Sequence, residues 1–333
     1  MRLLVTGGLG FIGSNFIAGA LRREDVDKVV NIDNLSFGAN RMSLKQYERH
    51  PTYNFVRGDI NDTRLLCRYL DETDVMLNFA AETHVDRSIS DPRDFVRSNV
   101  LGVYSILESL RKAKDDVKLI HVGTDEEYGD IVHGSFKEED RLIPSSPYAA
   151  SKAAASMLIR AYHRTYGLKA IITRCTNNFG PHQSPEKLVP KTIIRAGFGL
   201  KIPLYGKGRN IRDWVYVKDH CEAIDAVLRK GKSGQVYNIS SGVELENFEV
   251  VSAILELLGK PLSLIEHVED RPGHDLRYSL DSSKIRNQLS WKPKHSFRRA
   301  LAKTVEWYLK NENWWKPLTD ERVLHPTPWK LSW

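Results

Sequence analysis

The sequence predicts an α/β protein, a doubly wound parallel sheet with a smaller α/β substrate-binding lobe. Two observations carry this. Short β-branched runs alternate with longer stretches of helical period, the pattern of parallel strands joined by crossover helices. A glycine-rich turn, Thr6-Gly7-Gly8-Leu9-Gly10-Phe11-Ile12-Gly13, joins the first run to the first helical stretch.

Taken in order, strands are predicted over 3–6, 28–32, 53–56, 75–79, 118–122 and 169–173, with helices over 13–23, 63–70, 92–112 and 147–166. That set has the size of a complete dinucleotide-binding (Rossmann) sheet. After about residue 177 the pattern loosens: Pro181, Pro185, Pro190 and Pro203 interrupt the periodicity, and glycine turns follow at 197–199 and 206–208. Helices over 248–258 and 297–310 scaffold this second part. The division expected is a first domain over 1–177, to which 213–240 return, and a lobe over 178–333. Four of the seven tryptophans, Trp314, Trp315, Trp329 and Trp333, lie in the last twenty residues, and are read as a tail docked on its own domain.

Composition narrows the classes. The 333 residues carry 49 Lys+Arg against 42 Asp+Glu, a net charge of +7, with 41% hydrophobic residues. Enough apolar side chain is present to build a core, which excludes disordered and collagen-like chains. Basic residues are dispersed among acids, so the charge does not point to nucleic acid. No apolar run approaches the roughly eighteen residues of a membrane span, and Met1-Arg2 leads straight into a strand rather than a signal peptide. Cys67, Cys175 and Cys221 are widely spaced, which argues against a disulfide framework or a metal site. A soluble cytoplasmic protein is expected.

In the turn, Gly7, Gly10 and Gly13 allow the tight bend, the approach of backbone N–H groups to a pyrophosphate, and close packing of helix on strand. The positive helix end then faces the anion. Asp33 ends the second predicted strand, twenty residues after Gly13, where a carboxylate accepts hydrogen bonds from adenosine ribose hydroxyls and repels a 2′-phosphate. NAD is therefore expected over NADP. The alternative is that Asp33 caps a turn with Asn34.

Tyr148-Ala149-Ala150-Ser151-Lys152 lies near the start of the helix predicted over 147–166, and the i, i+4 spacing puts phenol and ammonium on one face. With 13 tyrosines and 49 basic residues, about two Tyr-x-x-x-Lys/Arg matches arise by chance. The others here are Tyr53/Arg57 and Tyr205/Arg209. Only Tyr148 pairs with lysine, and it follows the fifth strand, whose C-terminal end faces the ligand crevice of such a sheet. A nearby ammonium and an oxidised nicotinamide both favour phenolate.

Thr124-Asp125-Glu126 follows the same strand. Thr124 can bond a substrate oxygen, and two adjacent carboxyl groups in unlike environments can serve as one acid and one base. The bland alternative is a solvated acidic turn of Asp125, Glu126 and Glu127.

With these motifs in place the chain resembles the extended short-chain dehydrogenases/reductases, and among them the nucleoside-diphosphate-glucose 4,6-dehydratases. The resemblance spans essentially the whole chain. It is carried by segments 6–13, 80–88, 124–129, 146–152, 177–181, 185–188, 212–214 and 270–275, and by Trp314-Trp315. The glycine turn and the Tyr/Lys pair are shared with epimerases and decarboxylases of the superfamily. The Thr-Asp-Glu triplet is what points to dehydration, because taking the C5 proton and protonating the departing C6 hydroxyl need a further base and acid.

The resemblance implies NAD as cofactor, a nucleotide sugar (dTDP-glucose) as substrate, and a homodimer built through the helices predicted over 92–112 and 147–166. A UDP- or CDP-glucose dehydratase and a nucleotide-sugar 4-epimerase are the alternatives. A non-catalytic NAD-binding regulator would have no reason to keep Tyr148, Lys152, Asp125 and Glu126 together. In the implied reaction Tyr148, held by Lys152, removes the 4-hydroxyl proton as hydride leaves C4, with Thr124 bonded to the oxygen. Glu126 takes the C5 proton, Asp125 protonates the departing hydroxyl, and hydride returns to C6.

Carried over residue by residue, Phe11, Ile12, Asp33, Asn34, Leu35, Ser36, Asp59, Ile60, Phe79, Ala80, Ala81, Ser98 and Asn178 join Tyr148 and Lys152 in contacting NAD. Thr83, Asn177, Lys187, Leu188, Pro203, Leu204, Tyr205, Arg212, Asn247, Asp270, Arg271 and His274 join the triplet in the sugar-nucleotide site. Lys187, Arg212 and Arg271 offer charge-assisted donors to a diphosphate; the alternative for each is a surface cation. Two positions depart from the family pattern: Gly123 stands where serine is usual, and Glu127 where a small apolar residue, typically valine, is usual. An additional carboxylate there would raise the pKa values of its neighbours if buried.

Overall fold

The strands of the computed structural model, which describes residues 1–113 and 116–333, are in chain order β1 (Arg2–Thr6), β2 (Lys28–Asp33), β3 (Tyr53–Arg57), β4 (Val75–Asn78), β5 (Lys118–Thr124), β6 (Ala170–Cys175), β7 (Asn177–Phe179), β8 (Ile202–Tyr205), β9 (Ile211–Tyr216), β10 (Val236–Ile239), β11 (Glu244–Glu246) and β12 (Ile265–Val268). Seven form one sheet in the order β10-β6-β5-β4-β1-β2-β3, and every pairing in it is parallel. The winding reverses between β1 and β4, so a crevice opens at the C-terminal ends of those strands.

The strands read as unbroken apolar runs because both faces are covered. Leu3 and Val5 of β1 point to one side, with Val29, Leu77, Ile120 and Ile171, beneath helices Phe11–Ala20 and Val217–Lys230. Leu4 points to the other, with Val30, Met76, Leu119 and Ile172, beneath helices Thr63–Leu70, Gly102–Lys112 and Pro147–Tyr166. The fold is thus the predicted Rossmann-like α/β sheet. The helix over 147–166 matches in both bounds: the Ser146 hydroxyl accepts from the Ala149 N–H, and Gly167, at φ 73°, turns the chain out of it.

Three differences have physical causes. The first helix starts at Phe11 rather than 13, with Gly10 as its N-cap. The single helix predicted over 92–112 is interrupted by a wider π-type stretch, Val96–Leu101. There Asn99 turns inward to accept from the Glu82 N–H and to donate to the Glu82 carbonyl and to Ser151, bonds that no apolar periodicity reports. Pro190, read as a break, lies in the first turn of helix Leu188–Gly197, where no intrahelical N–H is required.

The remaining strands form a three-stranded β11-β9-β7 sheet, packed around Phe179, Ile193, Trp214, Ile254, Leu301 and Trp315, and a β12-β8 pair, packed with Ala196, Val251 and Leu255. The tryptophan-rich tail, expected on its own domain, packs Trp314 and Trp315 into the core of the second part but also reaches the first part through Ser43 and Phe37. The Trp314 indole N–H donates to Ser43 at 3.0 Å, Trp329 meets Tyr205 edge-on at 4.7 Å, and Trp333 meets Phe37 at 5.8 Å.

Candidate active site

The glycine turn shows why its residues lack side chains. Gly7 has φ +71°, and a Cβ there would lie 2.5 Å from the Ala80 nitrogen; one on Gly13 would lie 2.5 Å from the Gly7 carbonyl oxygen. Gly10 is different: its added Cβ would meet only the Gly7 oxygen, at 3.3 Å. It faces a cavity, and the helix it opens has no side-chain cap, so the positive helix end is left to a ligand. The Asp33 carboxyl accepts the Leu9 and Leu35 N–H groups, each at 2.9 Å, so it supports the turn while lining the cavity. Burial pushes its pKa up and those two bonds oppose the rise.

That cavity follows the crevice. It is lined by Gly7, Gly10, Phe11, Ile12, Gly13, Asp33, Asn34, Ser36, Asp59, Ile60, Phe79, Ala80, Ala81, Ser98 and Asn178 of the residues expected at NAD, by Thr83, Asn177 and Lys187 of those expected at the sugar nucleotide, and by Thr124, Asp125, Glu126, Tyr148 and Lys152.

Other expected residues are placed differently. Leu204 is buried, and Leu35 and Leu188 are half-buried, each packed against a core. Pro203 is buried in β8 beside Leu204, and Asn247 begins a helix with its N–H on the Asn210 carbonyl. Tyr205 and Arg271 converge instead on Asp86, at 2.8 and 2.9 Å. His274 pairs with Asp270 at 2.6 Å. Arg212 donates to the Asp275 carbonyl at 2.9 Å and lies over the Tyr278 ring. The charges of Arg271 and Arg212 oppose the rise in Glu126's pKa.

Phe37, Cys175, Gln183 and Glu186 also line the cavity and were missed. Glu186 is buried with its Oε2 3.4 Å from Arg87 Nε and 3.7 Å from His84 Nδ1. Both partners lie in segment 80–88, and an acid immediately before Lys187 was the available clue.

Around the reacting position the environments diverge. Lys152 is buried and donates to the Val122 carbonyl at 2.7 Å; burial pushes its pKa down, and the Glu127 carboxylate opposes that. Burial holds the Tyr148 phenol well above its ordinary value, with the Glu126 charge next in size. Burial and carboxylates, rather than the expected ammonium, dominate that group.

The acidic triplet is no solvated turn, since Asp125 is 3% exposed. Asp125 Oδ1 accepts from the Thr124 hydroxyl at 3.1 Å, while Oδ2 is buried without a hydrogen-bond partner. Burial, then the Glu126 charge, raises the Asp125 pKa well above the carboxylate range. Burial also raises Glu126, but Arg271, Arg212 and Lys187 counter it. Burial thus favours the protonated form more strongly at Asp125 than at Glu126, whose charge the neighbouring cations support.

Comparison with known proteins agrees with this geometry. The family model described as GDP-mannose 4,6 dehydratase matches residues 4–304. A dTDP-glucose 4,6-dehydratase of Xanthomonas campestris pv. campestris (strain B100) is 46% identical, covering 95% of each chain. Low-salt glycan biosynthesis protein Agl12 of Haloferax volcanii is 48% identical, covering 93% of this chain and 99% of its own. Among solved structures, DesIV, a dTDP-glucose 4,6-dehydratase from Streptomyces venezuelae with NAD and TYD bound, has a TM-score of 0.93 at 48% identity, covering 96% of this chain and 100% of that one. A UDP-glucuronic acid 4-epimerase from Bacillus cereus, in complex with UDP-glucuronic acid and NAD, has a TM-score of 0.88 at 26% identity, covering 93% and 99%. On matches of this extent, with a parallel sheet opening on a glycine turn and a Tyr148/Lys152 pair, the chain belongs to the GDP-mannose 4,6-dehydratase family.

Proposed function

We propose that this chain dehydrates dTDP-glucose to dTDP-4-keto-6-deoxyglucose, with NAD as a recycled cofactor. The observation that carries the reading is the pairing of Asp125 and Glu126, in unlike electrostatic settings, with Tyr148 and Lys152 in one cavity. A 4-epimerase removes and restores hydrogen at one carbon and has no use for that pair, whereas dehydration needs a base at C5 and an acid at C6.

The residues fit the cofactor. The uncapped helix end beside Gly10 suits a pyrophosphate, Asp33 suits ribose hydroxyls, and Asp59, Ile60 and Ser98 continue the wall. When bound, NAD supplies the hydride acceptor for C4 and the hydride later returned to C6. Tyr148 Oη takes the proton of the 4-hydroxyl, and Thr124 Oγ1 bonds the same oxygen. The ketone so made acidifies C5–H. Glu126, its charge favoured by Arg271, Arg212 and Lys187, takes that proton. Asp125, whose protonated form burial favours, gives its proton to the C6 oxygen, which leaves as water. Glu126 returns a proton to C5, and the proton held by Tyr148 balances the one Asp125 has lost.

Mass spectrometry and NMR of the product from dTDP-glucose deuterated at C4 test this. Loss of water with deuterium at C6 is expected; a galactose product of unchanged mass overturns the reading in favour of an epimerase. Faster turnover of UDP- or CDP-glucose than of dTDP-glucose would reassign the base. In calorimetric titration NAD should bind more tightly than NADP, because the Asp33 carboxylate repels a 2′-phosphate; tighter NADP binding reverses the assignment.

The same reading gives residues 1–177 with 213–240 to the cofactor, residues 178–333 to the sugar nucleotide, and a homodimer to the assembly. Exposed Val96, Leu101, Tyr104, Met157 and Tyr166 on the helices over 93–112 and 147–166 support the dimer. Light scattering at micromolar concentration should give twice the chain mass, and the monomer mass would contradict it. Among the described residues no helix is long and apolar enough to cross a membrane, and the three cysteines are unpaired, which supports a cytoplasmic setting.

A further inference from the structure

The two departures in the sequence, Gly123 and Glu127, meet in space. Glu127 is fully buried, and so is Arg174, whose Nε donates to Glu127 Oε2 at 2.7 Å. The Ser156 hydroxyl donates to the same oxygen at 2.7 Å. Glu127 Oε1 accepts the Thr124 N–H at 3.2 Å, completing a reciprocal cap with the Thr124 hydroxyl and the Glu126 N–H. A Cβ on residue 123 would lie 2.4 Å from Glu127 Oε1 and 2.9 Å from the Thr173 carbonyl oxygen. The glycine makes room for the carboxylate.

Each group that Glu127 touches belongs to the catalytic scaffold. Thr124 opens the turn that carries Asp125 and Glu126. Ser156 follows Tyr148 and Lys152 at i+8 and i+4, so the three share one face of helix Pro147–Tyr166. Arg174 comes from β6, beside β5 in the sheet, where Gly123 and Arg174 are register partners. The Arg174 Nη1 also donates to the Tyr128 hydroxyl at 2.9 Å, which donates to Asn238 at 3.0 Å.

Building on the dehydratase reading, we propose that Glu127 is a positioning residue for the reaction: paired with Arg174, its carboxylate fastens the turn bearing Thr124, Asp125 and Glu126 to the helix bearing Tyr148 and Lys152. A buried charge pair of this kind adds little net stability, so the role assigned to it is to hold geometry, and displacement of a catalytic group by about 1 Å can cost on the order of 100-fold in rate. Glu127 also lends Lys152 a negative neighbour. The groups around that ammonium are Glu127 and Cys175, which favour its charge, and His121 and the Val122 carbonyl, with burial opposing. Removing the Glu127 charge therefore makes Lys152 easier to deprotonate.

The test is Glu127→Gln in the NAD-loaded protein, with two readouts. In turnover of dTDP-glucose, kcat should fall between about 10- and 100-fold with KM nearly unchanged. In NMR titration of 13C-labelled lysine, with Lys152→Met to assign the resonance, Lys152 should titrate at lower pH than in the parent. A merely structural role would lower the melting temperature and move neither. Unchanged kcat together with an unchanged Lys152 titration overturns the proposal. If Glu127→Gln does not fold, Ser156→Ala severs only the fastening to the helix and should lower kcat several-fold, and an unchanged kcat there overturns it equally. A parent that fails to turn over dTDP-glucose refutes the functional reading, while the lysine titration still decides whether Glu127 sets the state of Lys152.

Discussion

Asp125→Asn is expected to cut kcat by about 10²- to 10⁴-fold, the usual contribution of a positioned general acid, with fold and NAD binding intact. The amide matches the carboxyl in shape, and burial favours that carboxyl's neutral form, so the exchange introduces no new buried charge. What it removes is the proton given to the C6 oxygen. Oxidation at C4 precedes that step, so the 4-keto sugar still bearing its C6 hydroxyl should accumulate and be visible by mass spectrometry after quenching. The sign of the pH dependence follows from the raised pKa: the proton is present below it and lost above it, so parental kcat should fall as pH rises through that value. Water loss at the parental rate would take Asp125 out of the mechanism.

Tyr148→Phe should be as damaging and fail earlier. The ring keeps its edge-on contact with Phe95, at 6.2 Å, and loses only the phenol oxygen on which the first proton transfer depends. Stability and NAD affinity should change little. Without a group to take the 4-hydroxyl proton, C4 is not oxidised, and the loss again falls in the range of about 10²- to 10⁴-fold. The two variants are separated by what builds up: the ketone in Asp125→Asn, unreacted substrate in Tyr148→Phe. Ketone accumulation in Tyr148→Phe would show that another group starts the reaction.

The legible part of this molecule was local. A strand buried on both faces writes an apolar run, as Leu3-Leu4-Val5 does. A turn that brings helix against strand writes glycines, and a phenol and ammonium on one helix face write a four-residue spacing. The second part of the chain was harder because its sheets use strands as short as Asn177–Phe179 and Glu244–Glu246, too brief to impose a period. At Leu35, Leu188 and Leu204 motif position named a neighbourhood, and it could not report that these side chains also pack against the cores. The role of Glu127 depends on Arg174, forty-seven residues on, and pattern within one segment does not report such a partner. The π-type stretch was hidden for a related reason, since it is tied to the polar bonds of Asn99 with Glu82 and Ser151.

The sheet is closed on one side by β10, which arrives from residues 236–239 to pair with β6. All six residues of β6 are buried. A fragment cut near residue 177 would keep the glycine turn and the tyrosine–lysine pair, yet would present β6 to solvent as a bare apolar edge, a template for pairing with other chains. The part of the chain before residue 177 is therefore not a portable module. Attempts to express it alone, or to graft it onto a foreign sugar-nucleotide lobe, should aggregate unless the segment carrying β10 travels with it.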